Sequence, residues 1–442
     1  MGPRVRKLIK TAIIVAGLAL VLALAGVYFI RDSDPPEDAD LRVQVVALPA
    51  ASNGLLHLAE GVAEIDWPGD ALPEGDDEAE ALTIGIAMGG TWDAKFAGDV
   101  LARNRAVLER FDRSLAMPGF QAPPMIAGEE SSVTYLWSWR KLFLLASIRI
   151  WDRLAVGDDA GGLREAVQAL RFARRCEDAG GPIIHYLVAT ALEGWALANL
   201  GRAVTGARLE PARLKDLLGE VEKLEPGPGL LRKVVWSEYA FGAHSIEATA
   251  RGDLPIEPDL VFGSGQSMPV WPWRSRLFYL PNDTKRLVAE LCRETLNAVP
   301  PEGPWRPVDW SLFESIEPNR WFPGRNGIGR HGMTSAVFGY RSVVERYQTS
   351  RLQFLFLRSI IALRGFRATQ GRLPDRLGEL VPEWIAEVPK DPFDGSALRY
   401  DPQRRVIWSV GSDGIDQGGT FEPDPENPQL DLTEPTAKIP FE

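Results

Sequence analysis

Two aspartates, Asp413 and Asp416, stand in the stretch WSVGSDGIDQGG, Trp408–Gly419, among Gly411, Gly414, Gly418 and Gly419. Calcium takes about six to eight oxygens from carboxylates, carbonyls and water. The two aspartates offer carboxylates, and the glycines allow backbone carbonyls to turn inward. Glu422 and Asp424 lie close by in sequence. The spacing is not that of an EF-hand, which needs acidic or amide residues at alternate positions and a later glutamate. The other reading is a glycine-bent turn with solvated aspartates. Asp413 and Asp416 are thus the candidate metal residues, with calcium as the candidate ligand. The apolar VIW before them reads as a strand.

Other chemistry-bearing patterns are sparse. The chain has no HExxH, no GxSxG and no phosphate-binding loop. His57, His185, His244 and His331 are scattered without metal-ligand spacing. His185 falls on an apolar helical pattern and reads as a satisfied core histidine. Glu193 and Glu238 fall on helical patterns too, where acidic residues are usually solvated; a carboxylate-based hydrolase stays as an alternative. Trp271, Trp273, Trp305, Trp310 and Trp321 crowd two irregular stretches, residues 252–281 and 298–332. They could wall a groove for a sugar or peptide, but aromatic side chains more often staple loops to a core. With 49 Lys and Arg against 60 Asp and Glu, the net charge of −11 argues against a nucleic-acid binder, which needs a basic face.

These residues must be positioned by elements that the pattern suggests. Residues 1–10 are basic, with Arg4, Arg6, Lys7 and Lys10; residues 11–30 carry no charge. About 20 apolar residues span the hydrocarbon core of a bilayer. The Lys/Arg bias predicts the N-terminus in the cytoplasm and the bulk outside, as a single-pass signal-anchor in the cytoplasmic membrane. A cleaved signal peptide is the competing reading, since Ala23, Ala25 and Gly26 resemble a cleavage site. Residues 31–40 read as a charged linker, 41–300 as an irregular α-helical domain, and 301–332 as a Trp/Gly-rich loop. Helices are predicted over 53–65, 93–116, 131–156, 158–179, 182–200, 211–225, 230–251, 282–298 and 334–368. Asp158 suits an N-cap, Gly180-Gly181 a stop and Pro182 a new start, so the two helices they separate should pack antiparallel. Gly371 should end the last helix, with two strands after it, ALRYD and RVIWSV. Residues 420–442, acidic and Pro-rich, read as an extended or disordered tail. Cys176 and Cys292 are the only cysteines and read as buried free thiols rather than a disulfide. The fold class is mainly α: an irregular helical domain after a transmembrane helix, closed by a small α+β module at 333–419.

That module resembles the globular head of the major pseudopilin of bacterial type II secretion. The resemblance rests on Gly371-Arg372-Leu373-Pro374, Pro389-Lys390-Asp391-Pro392-Phe393-Asp394-Gly395, Tyr400, and Trp408-Ser409-Val410-Gly411-Ser412-Asp413-Gly414, in that order. With its long helix it covers about a fifth of the chain. It implies a long helix leading into a small antiparallel sheet, and calcium in the Asp413–Asp416 loop. Asp391 and Asp394 themselves read as turn-formers. The N-terminal span lacks a pseudopilin's processing start and is not joined to this sheet, so the resemblance implies a module rather than a fibre subunit. The whole chain also resembles single-span bacterial envelope proteins with this C-terminal signature, a likeness that implies no activity. The expected function is therefore a membrane-anchored extracytoplasmic scaffold with envelope protein partners. A component of a secretion or pilus-like assembly and a Trp-walled envelope hydrolase are the alternatives.

Overall fold

Most of the chain is helical because its apolar residues recur at three- and four-residue intervals between capping and stopping residues. The computed structural model describes residues 3–42, 46–68, 77–123, 135–254, 279–298, 306, 308–313, 324–419 and 436–441. Their helices are α1 (Pro3–Ile30), α2 (Gly54–Ala59), α3 (Asp77–Ala87), α4 (Ala94–Arg103), α5 (Arg105–Ala116), α6 (Tyr135–Ala155), α7 (Asp159–Asp178), α8 (Ile183–Gly206), α9 (Pro211–Glu222), α10 (Pro228–Arg251), α11 (Pro281–Ala298) and α12 (Gly327–Gln370). Cα packing divides the chain into two interleaved units. One comprises Met1–Val43, Glu238–Thr295 and Val308–Arg341; the other comprises Gln44–Ser237, Leu296–Pro307 and Ser342–Glu442. This division cuts across the contiguous segments suggested by the sequence, because α10, α11 and α12 each contribute to both units.

The first unit carries the apolar helix. Ile9–Ile30 is long and apolar enough to cross a membrane, and none of it is buried against the protein. The segment after it, expected as a linker, is a strap. Asp32 Oδ2 accepts from Asn282 N at 2.9 Å and Oδ1 from Asp283 N at 3.2 Å, capping the first turn of α11. Arg293 reaches Asp40 at 2.7 and 2.9 Å and the Glu37 carbonyl at 2.6 Å. Tyr239 donates to the buried Asp38 carboxylate at 2.5 Å. Arg325 donates to the carbonyls of Tyr28 and Arg31 and lies over the Tyr28 ring, 5.3 Å from its centre. The exit of α1 is thereby tied to the unit by charge-assisted bonds rather than left as a free tether.

The second unit is a helical body built around the α7–α8 hairpin. Asp158 Oδ1 accepts from Gly161 N at 2.9 Å, as an N-cap should. Gly180 and Gly181 take φ of 78° and 104°, a region that other L-residues avoid, and turn the chain into α8. Leu163, Ala166, Leu170 and Ala173 of α7 and Ala189, Ala196 and Leu200 of α8 are all buried. The predicted helix over 93–116 is two helices, α4 and α5. Asn104 breaks it: its buried side chain accepts from Asp66 N at 2.9 Å and donates to Asp66 O at 2.9 Å and Val100 O at 3.0 Å. Holding the Asp66 segment outweighs one more turn of uninterrupted helix. In α9, Leu214, Leu217, Leu218 and Val221 form the buried stripe that their spacing predicts.

From Ser342 on, the C-terminal module belongs to this second unit. The latter half of α12 buries Leu352, Phe354, Leu357, Ile361, Leu363 and Phe366, and Gly371 at φ 72° ends it. Gly365 lies so close to the Trp384 ring that a side-chain carbon there would collide with it. Strands β1 (Arg399–Asp401) and β2 (Val406–Trp408) pair antiparallel, with Tyr400 opposite Ile407. A third strand, β3 (Thr436–Lys438), pairs with the other side of β2, with Ala437 opposite Ile407. Ile439 follows it, 3% exposed, and donates its N–H to Arg405 O at 2.8 Å. Of the tail expected to be extended or disordered, residues 436–441 are described, and they supply an extended strand that covers an otherwise open edge of β2.

Candidate functional site

In the loop after β2, the four glycines 411, 414, 418 and 419 take φ of 69°, 71°, 79° and 66°, as an inward-turning backbone requires. The loop's donors are contested by arginine. Asp413 is exposed and accepts from Ile415 N at 3.0 Å, closing its own turn. Asp416 Oδ1 accepts from the Trp408 indole at 2.9 Å and Gly418 N at 3.0 Å. Its Oδ2 lies 3.4 Å from Arg399 Nε. The Trp408 and Gly418 donors hold the Asp416 carboxyl below the usual aspartate range. Arg404 donates to the Gly418 and Gly419 carbonyls. A calcium ion would therefore have to displace guanidinium groups from a carboxylate and two carbonyls. Among the described residues, no group of three or more His, Cys, Asp or Glu side chains is arranged to hold a metal. Glu422 and Asp424 lie outside the described residues.

The centre of the module is Asp391, 1% exposed. Its Oδ1 accepts from Phe393 N at 3.0 Å and Ser409 Oγ at 2.8 Å; its Oδ2 accepts from Val410 N at 2.9 Å and Arg399 Nη1 at 2.6 Å. Arg399 also grips Asp394 at 2.5 Å, and this bond holds the Asp394 carboxyl below its usual range. Asp391 thus does more than form a turn. It ties the Pro389–Gly395 segment, β1 and the start of the Asp413 loop to one buried carboxylate.

A second polar cluster lies inside the helical body, where α7, α8 and α12 meet. Arg174 and Glu177 of α7 are 7% and 2% exposed, and Glu193 of α8 is 0% exposed. Arg174 Nη1 contacts Glu177 Oε2 directly and lies 3.5 Å from Glu193 Oε2. Glu177 Oε1, both Glu193 carboxylate oxygens, Tyr186 Oη and Ser350 Oγ are buried with no hydrogen-bond partner among the described residues. Burial, and then the neighbouring Glu193 charge, push the Glu177 carboxyl well above its ordinary 4.5. Burial raises Glu193 as well, against the pull of Arg174. The expectation that Glu193 is solvated is therefore corrected. The signal was present in the periodicity: Tyr186, Ala189, Glu193, Ala196 and Leu200 share one helical stripe, as do Ala166, Leu170, Ala173 and Glu177. Chemically, the cluster can hold a proton; with its carboxyls sealed from solvent, it does not admit a substrate in this conformation.

His185 is the satisfied core histidine that its apolar surroundings suggest. It is 1% exposed, 2.6 Å from Tyr135 Oη through Nε2 and 3.3 Å from Gly180 O through Nδ1. Burial pushes its pKa down. His244 is exposed, and Glu238 is half-buried at the start of its segment in the other unit. Trp310 opens a short 3-10 turn, and the Arg341 guanidinium lies 5.7 Å from its ring centre. Trp271, Trp273, Trp305 and Trp321 lie outside the described residues. Cys176 and Cys292 are buried and unpaired as a disulfide. No protein-family model, curated protein or solved structure matches the chain.

Proposed function

We propose that this protein is a membrane-anchored scaffold whose helical body stands on the extracytoplasmic face of the cytoplasmic membrane. The observation that carries this reading is the apolar helix Ile9–Ile30, none of it buried against the protein, joined to the strap that fixes its exit to α11. The basic residues at the N-terminal end of the span support the orientation, since Lys and Arg stay on the cytoplasmic side. Arg174, Glu177 and Glu193 are buried in the body's interior, while Trp137 is 71% exposed on α6. A photo-crosslinking residue in place of Trp137, introduced in intact cells, should give discrete adducts with envelope proteins. The same probe in place of the buried Trp139 should give none. A Trp137 probe that yields no adduct beyond the Trp139 background would count against the scaffold. Recovery of secretion-platform components as the adducts would support membership of a secretion or pilus-like assembly.

Calcium in the Asp413 loop is a separate reading, supported by the four glycines at positive φ. If it binds there, millimolar calcium raises the melting temperature of the full chain, and joint replacement Asp413→Asn, Asp416→Asn abolishes the rise. An unchanged melting temperature in the unsubstituted protein would remove calcium from the module. The hydrolase reading draws its support from the convergent Glu177 and Glu193 carboxyls and requires the body to open around them.

A further inference from the structure

We propose that Glu177 and Glu193 hold one proton between them in the folded body, and that losing it at alkaline pH loosens the seam of α7, α8 and α12. The first argument is a count of charge. Arg174 is the guanidinium that contacts both carboxyls, and one cation neutralises one carboxylate. A second ionised carboxylate in a sealed interior would remain uncompensated, and an unpaired buried charge is strongly destabilising. The second argument is a count of donors. Glu177 Oε1 and the Glu193 oxygens are all acceptors when ionised, and they lie within the same buried cluster with no hydrogen-bond partner among the described residues. A proton on one of them turns an acceptor–acceptor contact into a hydrogen bond. The Tyr186 and Ser350 hydroxyls are buried beside the same carboxyls.

Of the described neighbouring charges, Arg174 is the cation that acts on both carboxyls. On α7, Asp178 adds negative charge, while Cys176 is buried with its thiol pushed up by desolvation. On α8, Tyr186 faces the cluster and burial keeps its phenol protonated. On α12, Tyr347 adjoins Arg174 and Arg351, and Ser350 adjoins Glu193. From α10, Lys233 donates to the Asp178 carbonyl. From α6, Tyr135 turns to His185.

Both glutamates titrate at higher pH folded than unfolded, so folding takes up the proton. The stability it brings is complete below about pH 4.5, the unfolded value, and is lost as pH rises through the folded pKa. For one proton, the unfolding equilibrium constant grows about tenfold per pH unit across that window. The test uses the full chain in detergent. At pH 7, its infrared spectrum should contain a protonated-carboxyl band that both E177Q and E193Q lose, because either amide supplies the missing donor. Relative to E177Q, the unsubstituted protein should lose stability with rising pH at that tenfold rate. If E177Q does not fold, E193Q and the unsubstituted spectrum decide. Absence of the band at pH 7, or a pH profile parallel to that of a folded glutamine variant, would overturn the proposal.

Discussion

Replacing Arg174 with methionine should destabilise the helical body by about 3–5 kcal/mol at neutral pH, because it strands two buried carboxyls without their cation. Arg174 is the contact that Glu177 and Glu193 share. Without it, both side chains must be protonated to stay inside, so folding takes up two protons instead of one. The penalty should therefore grow as pH rises and shrink toward pH 4.5, the ordinary glutamate value. Denaturant unfolding of the full chain in detergent at pH 5 and pH 8 measures this. A penalty equal at both pH values would mean that the loss is one of packing alone. The triple variant R174M/E177L/E193L should recover most of the stability, since apolar side chains of similar volume often match a buried ion cluster.

Asp391→Ala should cost the C-terminal module a comparable 3–5 kcal/mol, because it removes a buried partner of an arginine and leaves three further donors unsatisfied. Those donors are Ser409 Oγ, Val410 N and Phe393 N, and the Arg399 side chain is only 17% exposed. Asp413→Asn should change stability by less than about 0.5 kcal/mol, because its carboxylate is exposed and caps a local turn. Limited proteolysis compares them directly: the Asp391 variant should be cut after α12 at protease levels that leave the Asp413 variant intact. Equal sensitivity would show that Asp391 does not organise the module.

The helices were legible where local signals agree. Asp158, Gly180-Gly181 and Pro182 mark the α7–α8 hairpin, and Gly371 marks the end of α12. These are caps and stops that act within a few residues. β3 was not legible, because Thr436–Lys438 is short and flanked by acidic, Pro-rich sequence; only its pairing with β2 gives it a structure. The same holds for the strap, whose partners lie about 250 residues away in sequence. In the candidate sites, the sequence drew attention to Asp413 and Asp416, the conspicuous acidic residues of a glycine-rich loop. The carboxylates that do more structural work are Asp391, hidden in a turn motif, and Glu177 and Glu193, hidden in apolar stripes. Residue type suggested solvation for the glutamates, and tertiary packing overrode it.

The most direct test of the anchored, extracytoplasmic arrangement is the side of the membrane on which each end of α1 lies. The native thiols do not interfere, because burial pushes Cys176 well above its usual range and Cys292 up to about 12. In spheroplasts, a membrane-impermeant maleimide should label Lys95→Cys, which is exposed on the body, and should label Gly2→Cys only after lysis. The Gly2→Cys chain, once labelled, should stay with the membrane at its full length. Labelling of Gly2→Cys from outside, protection of Lys95→Cys until lysis, or release of the body as a shortened soluble chain would contradict it.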